Sequence, residues 1–323
     1  MKIATTLCLI LFSCIVFAET PLHTYSIVAR DPETGEIGVA VQTHWFGVGA
    51  RVPWAEAGVG AVATQSLTEV SYGPLGLELM KAGKSAPDAL MSLIASDKGR
   101  EVRQVAMIDS NGVVAAHTGS KCISAAGHKT GTNYSVQANL MEKSTVWDAM
   151  ATAFDSAKGD LADRMLAALE AAQSEGGDIR GKQSAAMVVV SGKRAGPAWK
   201  DRTIDLRVDD HPEPLLELRR LLHLHRAYRH MDRGDDLIAD NRIAEGMKEY
   251  EIALQLQPQN DEMIFWAAIG IFSAGQESKA MELLLPLFKR EDRWLELVGR
   301  LPASDLLKPE EADRIVKLAK SPE

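Results

Sequence analysis

The stretch HTYSIVARDPETGEIGVAVQT, residues 23–43, decides how the fold begins. Two runs rich in apolar and β-branched residues flank Asp31-Pro32-Glu33-Thr34-Gly35, which has the proline and glycine that a chain reversal uses. The reading is a β-hairpin with strands over 24–31 and 37–43. It raises a question: why should a core strand start on a threonine, Thr24, so near the beginning of the chain?

Upstream, MKIATTLCLILFSCIVFAET places Lys2 before an apolar run that closes on Val16-Phe17-Ala18. Small or aliphatic residues at −3 and −1 are the signature of secretory cleavage after Ala18. A retained membrane anchor and cleavage before Cys14 are the alternatives. The run is short and has no basic residue on its far side, and Phe12 fits poorly ahead of a lipidated cysteine. Cleavage after Ala18 takes the formal charge from −8 to −9 and leaves Cys122 as the lone cysteine, so no internal disulfide is expected. The expected location is the periplasm or the cell exterior, with no membrane attachment after signal cleavage.

Downstream, the 323 residues suggest two domains or one large one. With 46% hydrophobic and 25% charged residues, a packed core is expected and global disorder is not. A net charge of −8 argues against a nucleic-acid partner, which needs a basic face. Strand patterns are read at 58–65, 103–109, 113–118, 134–140, 184–190 and 203–208. Ser110-Asn111-Gly112 marks a second hairpin. Helices are read at 72–81, 85–95, 144–157 and 161–174, with Ser85 and Ser144 as N-caps. That order predicts an α+β domain, a mostly antiparallel sheet with helices on its outer faces.

Near Asp210-His211-Pro212 the composition turns almost wholly helical. Gly234, Gly246, Tyr250, Ala253 and Pro258 are followed 34 positions later by Ala268, Ala280, Leu284, Leu287 and Asp292. This period resembles a tetratricopeptide repeat, with units over 227–260 and 261–294 and capping helices over 213–230 and 305–320. The expected domains are a signal at 1–18, an α+β domain at 19–210 and an all-α tetratricopeptide-like region at 211–323. Such helix pairs suit a peptide or a partner protein.

Motifs for cofactors are missing from the sequence. GVGARVPWAEAGVG is glycine-rich with the wrong spacing for a phosphate cradle. His223, His225 and His230 lack the i, i+3 or i+4 spacing that one helix needs to hold a metal, so no metal and no cofactor is expected. Two loops draw attention instead. In GGDIRGKQSAAMVVV, Asp178 and Arg180 stand in a loop before an apolar strand, where they either bind a ligand or pair with each other. In HTGSKCISAAGHKTGTNYSVQANLM, Gln137 and Asn139 share one strand face, and Thr118, Cys122 and His128 lie before them. Cys122 as a nucleophile would need a base such as His128; a buried small apolar group is its other reading.

These stretches, with VPWAEAGVGAVATQSLT, YGPLGLELM, CISAAGH, YSVQANLM and IDLRVDDHPEPLLELRRLL, resemble domain-of-unknown-function family 1028 over residues 24–222. The family is grouped with the N-terminal-nucleophile (Ntn) hydrolases, so the resemblance implies a four-layer α-β-β-α sandwich. It also implies a role for Thr24. A threonine hydroxyl is a weak nucleophile unless a base lies beside it. A free α-amine on the same residue, with a pKa of about 8, can take its proton. That needs a cut between His23 and Thr24, and self-cleavage is usual in the superfamily. The lysine and second-strand aspartate of proteasome-type members have no counterpart, because no lysine lies between Thr24 and Lys81.

The expectation is therefore an exported hydrolase acting on an amide bond of an unknown small molecule or peptide. Thr24 is the nucleophile, Asp178 orients its amine and Asn139 is an oxyanion donor. Arg180 binds an acidic substrate group, with His128 and Gln137 as further pocket residues. The alternative is a non-catalytic envelope protein whose helical repeats recruit a partner.

Overall fold

The structure is a computed structural model and describes residues 24–197 and 199–321. The signal expected at 1–18 and the bond between His23 and Thr24 lie outside these residues. The chain divides into two compact units at Leu215, five residues past the boundary read at 210.

The first unit holds two antiparallel sheets. β1 (Thr24–Arg30) and β2 (Ile37–Thr43) form the expected hairpin, in register from Thr24 opposite Thr43 to Arg30 opposite Ile37. The reversal is held by Asp31, whose Oδ1 accepts the amides of Glu33 and Thr34 at 2.8 and 2.9 Å. β3 (Pro53–Glu56), β4 (Gly60–Ser66), β5 (Arg103–Asp109) and β6 (Val114–Thr118) form one sheet in sequence order. β7 (Gly127–Gly131), β8 (Tyr134–Ala138), β9 (Ser184–Val190) and β10 (Arg202–Val208) join the hairpin in the order β10-β9-β2-β1-β8-β7.

β3 and β7 are additions to the sequence reading. β3 is only four residues long and β7 reads Gly-His-Lys-Thr-Gly, so neither shows the apolar alternation that marks a strand.

α1 (Tyr72–Lys81) and α2 (Ala86–Ser96) cover one face of the β3–β6 sheet, packing Tyr72, Leu77, Met80 and Leu90 on Val62, Val105 and Met107. α3 (Val146–Ser156) lies on β7 and β8, and α4 (Leu161–Ser174) on β1 and β2. The two sheets meet through Val28, Val39, Val41, Ala61, Ala63, Ala106, Ile108 and Val188, all buried. The Ser85 cap forms, accepting the Asp88 amide at 3.3 Å. The Ser144 cap does not. α3 starts after Thr145, whose hydroxyl donates to Glu175 at 2.6 Å instead.

The second unit is helical: α5 (Pro214–Ala239), α6 (Ile243–Leu256), α7 (Asp261–Ser273), α8 (Glu277–Arg290), α9 (Arg293–Val298) and α10 (Pro309–Lys320). α5 runs nine residues past the expected stop at His230. No proline interrupts that stretch, and Gly234 is accommodated because the chain of α6 passes close by. A Cβ on Gly234 would meet the Tyr250 ring at 2.5 Å, and one on Gly246 would meet Ile238 at 2.6 Å. Among the described residues, no helix is long and apolar enough to cross a membrane.

Candidate active site

The space between the two sheets changes character along the strands. Around Val28 and Ile108 it is apolar. Toward the start of β1 it fills with amide and hydroxyl groups. β1 turns Thr24, Ser26 and Val28 to the facing sheet, since every second residue shares a face.

Ser26, Gln65, Gln104, Gln137 and Asn139 all have no solvent exposure. Most of their polar atoms satisfy one another or nearby backbone groups, Gln137 Oε1 being without a partner among the described residues. The Ser26 hydroxyl donates to Gln65 Oε1 at 2.7 Å and accepts from Gln137 Nε2 at 3.1 Å. Gln104 Oε1 accepts from Gln65 Nε2 at 2.7 Å and from Asn139 Nδ2 at 2.9 Å. Gln104 Nε2 donates to the Ala138 carbonyl and the Thr118 hydroxyl, each at 2.9 Å. Thr118 Oγ1 lies 2.8 Å from His128 Nδ1.

This network converges on Thr24. Its carbonyl oxygen accepts Gln65 Nε2 at 3.0 Å, the Asn139 amide at 3.1 Å and Asn139 Nδ2 at 3.4 Å. Its Oγ1 is buried and has no hydrogen-bond partner among the described residues. The peptide is thus held firmly while the hydroxyl is uncommitted, at the cost of a desolvated polar atom.

Another loop lies beside the Thr24 end of β1. His44 follows Thr43, the partner of Thr24 on β2, and Leu140 follows Asn139. Both already have partners. The His44 amide donates to Asp178 Oδ2 at 3.0 Å, and the Leu140 carbonyl accepts from Ile179 N at 3.2 Å. Asp178 also bridges Met141. Its carboxylate has no exposed surface. It takes the Arg180 amide and Nε on Oδ1, each at 3.0 Å, and Arg180 Nη2 on Oδ2 at 2.7 Å.

On the other face of β1, the Tyr25 hydroxyl lies against Gln42 and 3.0 Å from Gln173. Burial, and then the negative charge of Asp178, pushes its pKa well above the ordinary phenol value.

The structure brings Thr24, Asn139 and Asp178 to one end of the sheets. It gives two other residues different work. The Arg180 guanidinium pairs with Asp178, the pairing that the sequence offered as one of two readings. Gln137 lies wholly inside the inter-sheet layer, donating to Ser26 and to the Ala63 carbonyl at 3.3 Å, and so it cross-links the sheets instead of lining a pocket.

His128 sits on edge strand β7. Partial burial, and then the charge of His117, lowers its pKa. Its Nδ1 is engaged by Thr118 and not by Cys122, whose thiol donates to the Arg103 carbonyl at 3.3 Å. Burial raises the Cys122 pKa despite contacts from Ser66 and Gly119 that lower it, which disfavours the thiolate a nucleophile needs.

Gln65 and Gln104 were not read from the sequence, yet a signal exists. VAVQT, VATQS, RQVAM and YSVQA each set one glutamine near the end of an otherwise apolar strand. Antiparallel pairing carries those ends to the same side.

Comparisons with known proteins agree with part of this picture. The family of unknown function DUF1028 matches residues 24–218. A crystal structure of a Silicibacter pomeroyi protein matched to the same family is 33% identical, with a TM-score of 0.55; the match covers 62% of this chain and 88% of that one. No curated protein matches the chain.

Proposed function

Because this chain belongs to the family of unknown function DUF1028, we propose that its first unit is an exported amide hydrolase of the N-terminal-nucleophile type, with Thr24 as nucleophile. In this reading the two sheets and their outer helices form a four-layer α-β-β-α sandwich.

One observation carries the proposal: Thr24 Oγ1 is buried and without a partner among the described residues, at the end of β1 where the loop of Asp178 bonds to His44 and Leu140. A buried hydroxyl with no bond costs stability, and such costs gather where chemistry is done.

After a cut between His23 and Thr24, the new α-amine takes the hydroxyl proton as Oγ1 attacks the amide carbon. The proton passes to the departing amine, and an ester on Thr24 remains. Water then cleaves the ester and returns the hydroxyl. Asp178 orients the amine, and Asn139 is our oxyanion donor, released from its 3.4 Å contact to the Thr24 carbonyl. Export to the periplasm or beyond would permit that maturation. Mass spectrometry of the exported protein tests it: a first residue of Thr24, and its loss in Thr24→Ala, is expected. A chain that keeps Glu19 at its start rejects the mechanism.

A second reading rests on the helical unit. α6, α7 and α8 border a cavity of about 390 Å³ lined by Tyr250, Leu254, Pro258, Ile271 and Leu283, which suits an apolar side chain of a partner protein. Here the helices form tetratricopeptide-like pairs and the protein is an envelope scaffold. Pull-downs with the full chain and with a chain ending at His211 separate the readings. Equal recovery of a partner from both would exclude a role for the helices.

A further inference from the structure

The loops around Thr24 carry a second pattern. Three backbone segments lie side by side there. The Leu140 amide donates to the Ile123 carbonyl at 3.0 Å, and the Ile179 amide donates to the Leu140 carbonyl at 3.2 Å. Leu140 directly follows Asn139, whose own amide bonds to the Thr24 carbonyl. Each isoleucine is thus backbone-bonded to Leu140, the neighbour of the residue that pairs with Thr24. Both are open to solvent, Ile123 at 40% and Ile179 at 61%.

The charges of the same loop are already matched. Arg180 is bound to Asp178, and Lys182 to Glu213. An acid entering here would shed water and find those cations occupied. An aliphatic group would cover exposed isoleucine and be favoured by burial.

We propose that the Thr24 site accepts an uncharged, aliphatic group: an amide bearing a leucine-like side chain beside the carbonyl under attack, seated against Ile123 and Ile179. This rests on the reading of Thr24 as nucleophile. It replaces the acidic substrate group expected from Arg180 and makes the two isoleucines specificity-determining residues.

The test separates binding from chemistry. The exported protein is titrated with two dansyl tripeptide amides that differ only in a central leucine or aspartate, the bond after that residue being a hydroxyethylene isostere that cannot be hydrolysed, and fluorescence anisotropy is read. The leucine peptide is expected to bind at least about tenfold tighter. Ile179→Asp, and separately Ile123→Asp, should erase that preference with the melting temperature kept. Equal affinities, tighter binding of the aspartate peptide, binding of neither, or a preference that survives both substitutions overturns the proposal. Labelling of the unsubstituted protein by a peptide epoxyketone reports on the nucleophile alone. Labelling without a peptide preference rejects only the aliphatic subsite. A preference without labelling rejects only the nucleophile.

Discussion

Gln65 Nε2 lies 3.0 Å from the carbonyl oxygen of Thr24 and so ties β4 of one sheet to the first residue of β1 in the other. The same nitrogen also reaches Gln104 Oε1 at 2.7 Å. A side-chain amide has two hydrogens, and here they serve the two contacts. The position of Thr24 is therefore set by the facing sheet as well as by its own.

Gln104 is the centre of this arrangement. Gln104→Leu would strip Gln65, Asn139 and Thr118 of a partner while keeping the bulk. Each buried group left unsatisfied costs about 1–3 kcal/mol. A loss of about 3 kcal/mol or more is expected in urea unfolding; a loss below about 1 kcal/mol would mean the network is loosely coupled.

Thr24→Val keeps the shape of the side chain and removes the unpartnered hydroxyl. Stability should hold or rise by about 1 kcal/mol, because a desolvated polar atom is lost. Covalent labelling at residue 24 should vanish. Thermal unfolding and intact-mass analysis of the same sample read both outcomes, and a clear fall in stability would show that the hydroxyl has a structural partner.

Asp178→Asn removes the charge that holds Arg180 and weakens acceptance of the His44 amide. Breaking a buried pair from one side costs about 3–5 kcal/mol, and the partial exposure of Arg180 reduces that figure. Destabilisation of about 2 kcal/mol is expected. Hydrogen exchange at the His44 amide should quicken; unchanged protection there would contradict its anchoring by Asp178.

His128 supplies a pH dependence. Its pKa is lowered by partial burial and by His117. The folded protein therefore binds this proton less readily than the unfolded chain does. The contribution to stability is complete above the ordinary histidine value of about 6.5 and is lost as pH falls through the folded pKa. The slope should be shallow, because the ring keeps contact with water. Urea midpoints between pH 7 and pH 5 should fall less steeply in His128→Asn than in the parent; parallel slopes would remove His128 as the cause.

In the helical unit, Gly246→Ala adds a carbon that would meet Ile238 at 2.6 Å and the Gly234 carbonyl at 2.9 Å. Overpacking costs about 1–3 kcal/mol, more than the gain in helix propensity. A lower melting temperature by circular dichroism is expected. An unchanged one would show that α5 and α6 can separate without cost.

The hairpin of β1 and β2, the helices that cover the sheets and the membership in DUF1028 were legible in local pattern. Alternation, caps and turn residues act over a few positions, and the sequence displays them directly. The 34-residue period likewise exposed the close approach at Gly234 and Gly246, because small residues must recur where helices touch. Strands β3 and β7 escaped notice, since one has four residues and the other is mostly glycine and polar side chains. The site lies between these cases. Thr24, Asn139 and Asp178 could be named from motifs, but their meeting depends on which strands are neighbours.

By itself the sequence determined the elements, their order and the polar residues at strand ends, because those follow from periodicity and composition. Tertiary structure alone decided that Gln65 and Gln104 hold Thr24, that Arg180 is spent on Asp178, and that Ile123 and Ile179 flank Leu140. Hydrogen bonds such as that of His44 to Asp178, 134 positions apart, are chosen by sheet order and register, and a single chain read in one dimension carries no record of either.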